Sequence, residues 1–474
     1  MAKVIGLSGP FGAGCSTVAG ILKDEGYQVI KASAFITEWA ERNDVGFAVP
    51  EGDSTERRHA LQVAGNILRM HEGSDAIARL ALDYIREQEG RSEHPESLRF
   101  VIDSLKNRAE TDFLHEQLGD RFTAVSVYSS VQSREKRSCV ENSYSGNLWL
   151  MKRDDRRDRD EFGSDVEWGQ QVLQCDVAAD ISIDNDENVE TKEAWDYKLA
   201  NAVSQYVLNE HPEIDANTLF MWRAELEAAN SRCGKRKVGA CLAKEEEIIS
   251  VGWNRAPDGV DGCLEHKDYR TCYRDHLRSQ KERDDAGREI DWGDLELDEY
   301  ERALINEIDD DAEKRRYISR VVLDAIDGYY YDFKTLEACR ALHAEEAAIL
   351  AALERGADIR EATLYTTTYP CMACAKKIAQ QGIKEVYFIE PYPIEGARKL
   401  LDEKGVRQYR YQGLRLRFAP RILDDMSEST RGRLGRMSGK DLEPGEVYDS
   451  AFQMFALQKT VNAILGRCGE ADLL

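Results

Sequence analysis

His343, Glu345, Cys371 and Cys374 are the residues of this chain whose types and spacing carry the most chemistry. His343-Ala344-Glu345 is followed, about a helix and a strand later, by Pro370-Cys371-Met372-Ala373-Cys374. One imidazole and two thiolates give zinc three soft or borderline ligands and leave a fourth position for a water whose pKa the metal lowers toward neutrality. Glu345, two residues beyond the histidine, stands near the metal without being a ligand. It can carry a proton from the water to a ring nitrogen and then to a leaving amine. This order of residues is that of a zinc centre that deaminates a cytosine or adenine ring. Each half alone means less, because a Cys-x-x-Cys pair also serves as a structural zinc hook or redox pair.

The flanking segments must position these side chains. Residues 362–369, Ala-Thr-Leu-Tyr-Thr-Thr-Thr-Tyr, are β-branched and aromatic and predict a strand that stops at Pro370. Cys371 and Cys374 then fall at i and i+3 in the first turn of the next helix, on one face, where the helix dipole favours thiolate. Ala341 to Leu353 is rich in Ala, Leu and Glu and predicts a helix with His343 and Glu345 near its N-terminus.

A second motif lies at the other end of the chain. Residues 4–8, Val-Ile-Gly-Leu-Ser, read as a buried strand, and residues 9–17, Gly-Pro-Phe-Gly-Ala-Gly-Cys-Ser-Thr, open a helix. Strand, Gly-rich loop and helix make the layout of a phosphate-binding P-loop, in which Gly9, Gly12 and Gly14 let backbone N–H groups converge on phosphate oxygens. Cys15, Ser16 and Thr17 complete the nucleotide-binding stretch, with Ser16 placed to offer a hydroxyl to Mg2+. Cys15 stands where the pattern calls for lysine. A short uncharged thiol cannot offset charge developing in phosphoryl transfer, so the loop predicts nucleotide binding with weak or absent turnover. Asp103, ending the strand-like run 98–103, takes the place of a magnesium-associated carboxylate or of a helix N-cap.

With 474 residues the chain has room for two to three domains. No stretch has the length and apolarity of a membrane span, and the N-terminus runs straight into a strand with no signal peptide, so a cytoplasmic protein is expected. The 11 cysteines are then thiols or metal ligands. A formal net charge of −24 argues against a nucleic-acid duplex or a long single strand as the main partner. It leaves open a small anionic nucleotide or a local basic groove.

Residues 60–70 and 75–88 have helical periodicity, 122–128 is a further strand, and 169–185 closes the first unit with a helix and a strand. The alternation predicts an α/β domain over 1–205, a parallel sheet with helices on both faces. Residues 211–213 read as a linker. The charge run 152–160 reads as a solvated helix face rather than a phosphate-facing lid.

Residues 218–418 resemble the deoxycytidylate deaminases. The likeness rests on Ser231-Arg232-Cys233, Lys237-Val238-Gly239-Ala240, Gly252-Trp253-Asn254, His343-Ala344-Glu345, Pro370-Cys371-Met372-Ala373-Cys374 and Gln381-Gly382-Ile383-Lys384. With the P-loop kinase-like first domain, the whole chain is similar to the two-domain antiviral dCTP deaminases of bacteria. The resemblance implies a cytidine deaminase-like α/β/α domain over 215–420 and a free deoxycytidine nucleotide as substrate. It also implies a regulatory nucleotide at the P-loop or an allosteric site, a small inhibitory RNA and a homo-oligomer. By position, Asn254 would hydrogen-bond the sugar, or else serve as a turn asparagine. Cys233 and Cys263, completed from His266, Cys272 and Cys339, would hold a second, structural zinc, or else be ordinary thiols. Deoxycytidylate deaminases commonly continue His-Ala-Glu-x-Asn, whereas Ala347 stands at the last position here. That departure leaves dCMP and dCTP both open.

Residues 274–333 form a charged insertion with helical periodicity over 317–331, and 421–474 a tail with one amphipathic helix over 447–465. Two other readings compete with a free-nucleotide deaminase. An RNA or single-stranded DNA editing deaminase would need a basic groove with stacking aromatics. A nucleotide-binding switch protein with a structural zinc would make Glu345 incidental.

Overall fold

The structure, a computed structural model, describes residues 1–52, 54–140, 167–186, 191–209, 212, 214–268, 270–274, 276, 299–308, 339–391 and 395–421. The charge run 152–160, the helical stretch 317–331 and the tail helix 447–465 lie outside the described residues. The chain divides into two compact units, residues 1–210 with 288–332, and residues 211–287 with 333–474. Among the described residues no helix is long and apolar enough to cross a membrane.

In the first unit the strands are β1 (Lys3–Ser8), β2 (Gln28–Lys31), β3 (Arg99–Asp103), β4 (Phe122–Tyr128) and β5 (Ile181–Asp184). They pair in parallel in the order 5-4-1-3-2. The helices are α1 (Cys15–Asp24), α2 (Ala32–Arg42), α3 (Thr55–Glu72), α4 (Ala76–Arg91), α5 (Arg108–Leu118), α6 (Val131–Val140), α7 (Val172–Val177) and α8 (Lys192–Ala202). Successive strand residues face opposite sides, and β1 is buried on both, so each face of the sheet needs a cover. On one face Val4, Phe100, Ile102, Phe122 and Ala124 pack with Ala78, Leu82 and Ile85 of α4 and Leu114 of α5. Val101 and Val125, on the other face, are also fully buried.

The second unit is built on a mixed sheet. Helix α9 (Ala216–Ala228) precedes the hairpin β6 (Gly239–Lys244) and β7 (Glu247–Trp253), whose turn residues Glu245 and Glu246 have φ of 52° and 63°. The chain then contributes α10 (Glu299–Glu307) to the first unit before returning for α11 (Ala344–Glu354), β8 (Thr363–Thr368), α12 (Met372–Gln381), β9 (Glu385–Glu390), α13 (Glu395–Glu403) and β10 (Arg407–Arg410). Strand order is 10-9-8-6-7; β6 is antiparallel to β7 and β8, while β8, β9 and β10 run parallel. Alternation along β6 splits the core in two. Ala240 and Leu242 join Ala348 and Ile349 of α11, Ile378 of α12 and Leu401 of α13, whereas Cys241 and Ala243 join Phe220, Met221 and Ala224 of α9. The result is an α/β/α sandwich.

Helix α10 comes from the charged insertion, yet its apolar side is core. Tyr300, Leu304, Ile305 and Ile308 pack with Ala60, Val63, Ala64 and Ile67 of α3. His71 Nε2 and Glu307 Oε2 stand 2.8 Å apart beside that seam.

Candidate active site

The predicted strand 362–369 forms as β8, and Cys371 is the N-cap of α12 with extended backbone (φ −70°, ψ 170°). The helix predicted from Ala341 begins instead at Ala344. Leu342 is held extended by an isolated bridge to Arg255, donating to its carbonyl at 2.8 Å, so His343 becomes the N-cap of α11 at φ −76°, ψ 156°. Both ligand-bearing segments thus meet as helix N-termini. The positive ends of two helix dipoles favour anionic thiolate there.

His343 Nδ1 lies 3.2 Å from Cys371 Sγ and 3.5 Å from Cys374 Sγ. Tetrahedral zinc with ordinary Zn–S and Zn–N bonds sets such donors about 3.5 Å apart, so the set fits the metal. Among the described residues this is the single group of three His, Cys, Asp or Glu donors close enough to share an ion. The Cys371 thiol is drawn down to about 4, first by the hydrogen bond with Cys374 and then by His343, while the same hydrogen bond pushes Cys374 up. The His343 imidazole is raised to about 10 by hydrogen bonds to Cys339 and Cys371.

Glu345 is buried in the first turn of α11, and burial raises its carboxyl to about 7 despite the opposing effect of His343. Such a group can both hold and yield a proton near neutral pH. Its neighbour Glu346 pairs with Lys377 of α12 at 3.0 Å, and Ala347 is buried on the same helix.

Asn254 is buried and both ends of its side chain are engaged. Oδ1 accepts from the Val238 N–H at 2.8 Å and Nδ2 donates to the Arg236 carbonyl at 2.9 Å. The amide therefore shapes the loop that carries Lys235, Arg236 and Lys237. Arg236 in turn reaches the buried Glu390 at 3.1 Å, and Glu390 accepts from Thr368 Oγ1 at 2.7 Å at the end of β8.

The second zinc site expected from Cys233, Cys263, His266, Cys272 and Cys339 is not assembled among the described residues. Cys339 turns instead to His343, whose hydrogen bond lowers its thiol pKa. The sequence marked Cys339 as a structural ligand or an ordinary thiol, without this contact. Its nearness to His343 in the chain was the available signal.

In the first unit, Gly14 has φ +99° and is the left-handed N-cap of α1, which begins at Cys15. The loop carbonyls are held by side chains: Gly9 by Lys106 Nζ at 2.7 Å, Phe11 by Arg134 Nη1 at 2.9 Å and Ala13 by Asn185 Nδ2 at 2.6 Å. Gly12 has φ +73°, and a Cβ on Gly9 would lie 2.4 Å from the Val127 carbonyl. Ser16 Oγ donates to Asp103 Oδ2 at 2.9 Å, and Thr17 is exposed. Lys31, which the sequence motifs did not mark, bonds to both Ser16 and Asp103.

A mixed sheet between helical layers, with one histidine, two cysteines and a buried glutamate at two helix N-termini, defines a zinc-dependent deaminase domain. Residues 215–390 match the cytidine and deoxycytidylate deaminase zinc-binding region. The deoxycytidylate deaminase of Enterobacteria phage T4 is 31% identical over 169 residues, 36% of this chain and 75% of its own length. That of Schizosaccharomyces pombe is 29% identical over 235 residues, 49% of this chain and 54% of its own. For the Saccharomyces cerevisiae enzyme the corresponding figures are 28% over 200 residues, 41% and 45%, so the chain spans about half the length of these two yeast relatives. A crystal structure of dCMP deaminase from the cyanophage S-TIM5 with dCMP and dUMP is 23% identical, with a TM-score of 0.26, covering 42% of this chain and all of that one. The chain belongs to the deoxycytidylate deaminase family.

Proposed function

We propose that the second unit hydrolytically deaminates the cytosine of a free deoxycytidine nucleotide, dCMP or dCTP, to give dUMP or dUTP and ammonia. The observation that carries this reading is Glu345, buried and poised near neutrality beside the His343, Cys371 and Cys374 donor set. Zinc held by those three residues supplies a Lewis acid that makes water nucleophilic at neutral pH. Glu345 takes a proton from the attacking water as its oxygen bonds to C4 and delivers it to N3. It then takes the remaining proton of the new C4 hydroxyl and passes it to the exocyclic amine, so that the C4–N bond breaks, ammonia leaves and C4 becomes a carbonyl. Burial keeps bulk water from competing for these protons.

A nucleotide rather than a base fits the Lys235-Arg236-Lys237 loop, whose backbone Asn254 holds. The small Ala347 side chain, in place of the family's usual amide, supports a larger phosphate end such as the triphosphate. The first unit, with its glycine loop at Gly9, Gly12, Gly14, Cys15, Ser16 and Thr17 opposite Asp103, is a phosphate-binding controller of the deaminase. Its P-loop kinase-like character rests on the parallel sheet and the left-handed cap at Gly14. Conversion of dCTP to dUTP drains a DNA precursor pool, a chemistry suited to antiviral defence in the cytoplasm. An inhibitory RNA and homo-oligomer assembly rest on the resemblance alone.

The test is ammonia release and uracil formation from purified, zinc-loaded protein offered dCMP, dCTP, the cytidine nucleotides and cytosine- or adenine-containing oligonucleotides. Products from free deoxycytidine nucleotides are expected. Products from oligonucleotides alone would replace the reading with an editing deaminase, and no product with any substrate would favour a structural metal.

A further inference from the structure

The glycine loop of the first unit lacks a lysine, and the structure shows a cation beside it from another strand. β2 pairs with β3 so that Lys31 stands opposite Asp103 in register. Neighbouring parallel residues in register present their side chains on the same face. Lys31 Nζ therefore reaches Asp103 Oδ2 and lies 3.3 Å from Ser16 Oγ, while Ser16 donates to the same carboxylate oxygen at 2.9 Å. A magnesium-dependent phosphate loop uses a hydroxyl and an acid in these places to hold the divalent ion. A further observation points to a ligand at the loop. Asn185 is fully buried against it through the bond to Ala13, and its Oδ1, an acceptor suited to a donor group of a bound nucleotide, has no hydrogen-bond partner among the described residues.

Resting on the reading of this loop as a phosphate site, we propose that Lys31 supplies the positive charge missing at Cys15 and does so from the place of the divalent ion. The first unit then binds the polyphosphate tail of a nucleotide without Mg2+. An ammonium carries three donors. Two are directed at Ser16 and Asp103, and the third serves a phosphate oxygen. A magnesium ion brought to the same carboxylate would meet the ammonium at close range and be repelled. The arrangement binds without promoting phosphoryl transfer, because no cation bridges the β and γ phosphates from the Cys15 position.

The experiment is calorimetric titration of the full-length, zinc-loaded protein with ATP, dTTP and tripolyphosphate, in magnesium-free buffer and with excess Mg2+. Binding in magnesium-free buffer is expected, weakened about tenfold or more by Lys31→Met and retained by Lys31→Arg. Because Lys31→Met vacates the cation position, Mg2+ should restore binding to that variant. The double variant Cys15→Lys/Lys31→Met should also regain binding, which separates loss of charge from loss of fold. Binding that requires Mg2+ and ignores Lys31→Met overturns the assignment to Lys31 while leaving the phosphate loop intact. No binding of any probe in either buffer overturns the phosphate site itself, and the assignment with it.

Discussion

Gly252 of β7 and Ala344 of α11 meet backbone to backbone: a Cβ on Gly252 would lie 2.4 Å from the Ala344 carbonyl oxygen and 2.5 Å from the Ala348 nitrogen. Ala344 separates His343 from Glu345, so the hairpin edge sets the height of the helix that carries both. Gly252→Ala should therefore move α11 and lower kcat by about 10- to 100-fold, the effect of roughly an ångström of misplacement. Ammonia release alongside zinc content checks this, and wild-type kcat would show that the contact does not position the site.

Glu345→Gln keeps the shape of the side chain and removes its proton chemistry. The expected outcome is a fall in kcat of about 10²- to 10⁴-fold with zinc content unchanged. Turnover near the wild-type rate would remove Glu345 from the reaction.

Metal occupancy should follow the donor set. His343→Ala, Cys371→Ser and Cys374→Ser are each expected to reduce bound zinc well below about one per chain. Cys233→Ser and Cys263→Ser should leave it unchanged, since these cysteines share no three-donor group among the described residues. Elemental analysis of the purified variants decides between one site and two.

Helix α10 should be a structural part of the first unit. Leu304 is 1% exposed in the cluster that joins α10 to α3. Truncation to Ala should cost about 2–5 kcal/mol through lost burial and the cavity left behind. Denaturant unfolding followed by intrinsic fluorescence measures it. An unchanged midpoint would mean that α10 adds little to that core.

Much of the site was legible in the sequence because its determinants are local. β-Branched residues before Pro370 made β8, and Cys-x-x-Cys after it placed two sulfurs on one turn of α12. Four of the five strands of the first unit were equally plain, since runs such as 122–128 are apolar on both faces, whereas the short β2, Gln28–Lys31, was not marked. The start of α11 was not, because a bridge from Leu342 to Arg255 overrides the helix propensity of the residues before His343. Asn254 was marked as a sugar contact or a turn residue, and its hydrogen bonds place it in support of the Arg236–Val238 loop.

The reacting groups were readable from local pattern: His343 with Glu345, and Cys371 with Cys374, lie at short spacings where helix periodicity and capping decide which side chains share a face. Tertiary structure alone decided which distant residues serve them and the loop of the first unit. Lys31 meets Asp103 across 72 positions because β2 and β3 are neighbours in a sheet whose strand order departs from chain order. Helix α10 likewise joins a core far from its neighbours in sequence. Such partners are selected by non-local strand pairing and burial, which no short window of residues encodes.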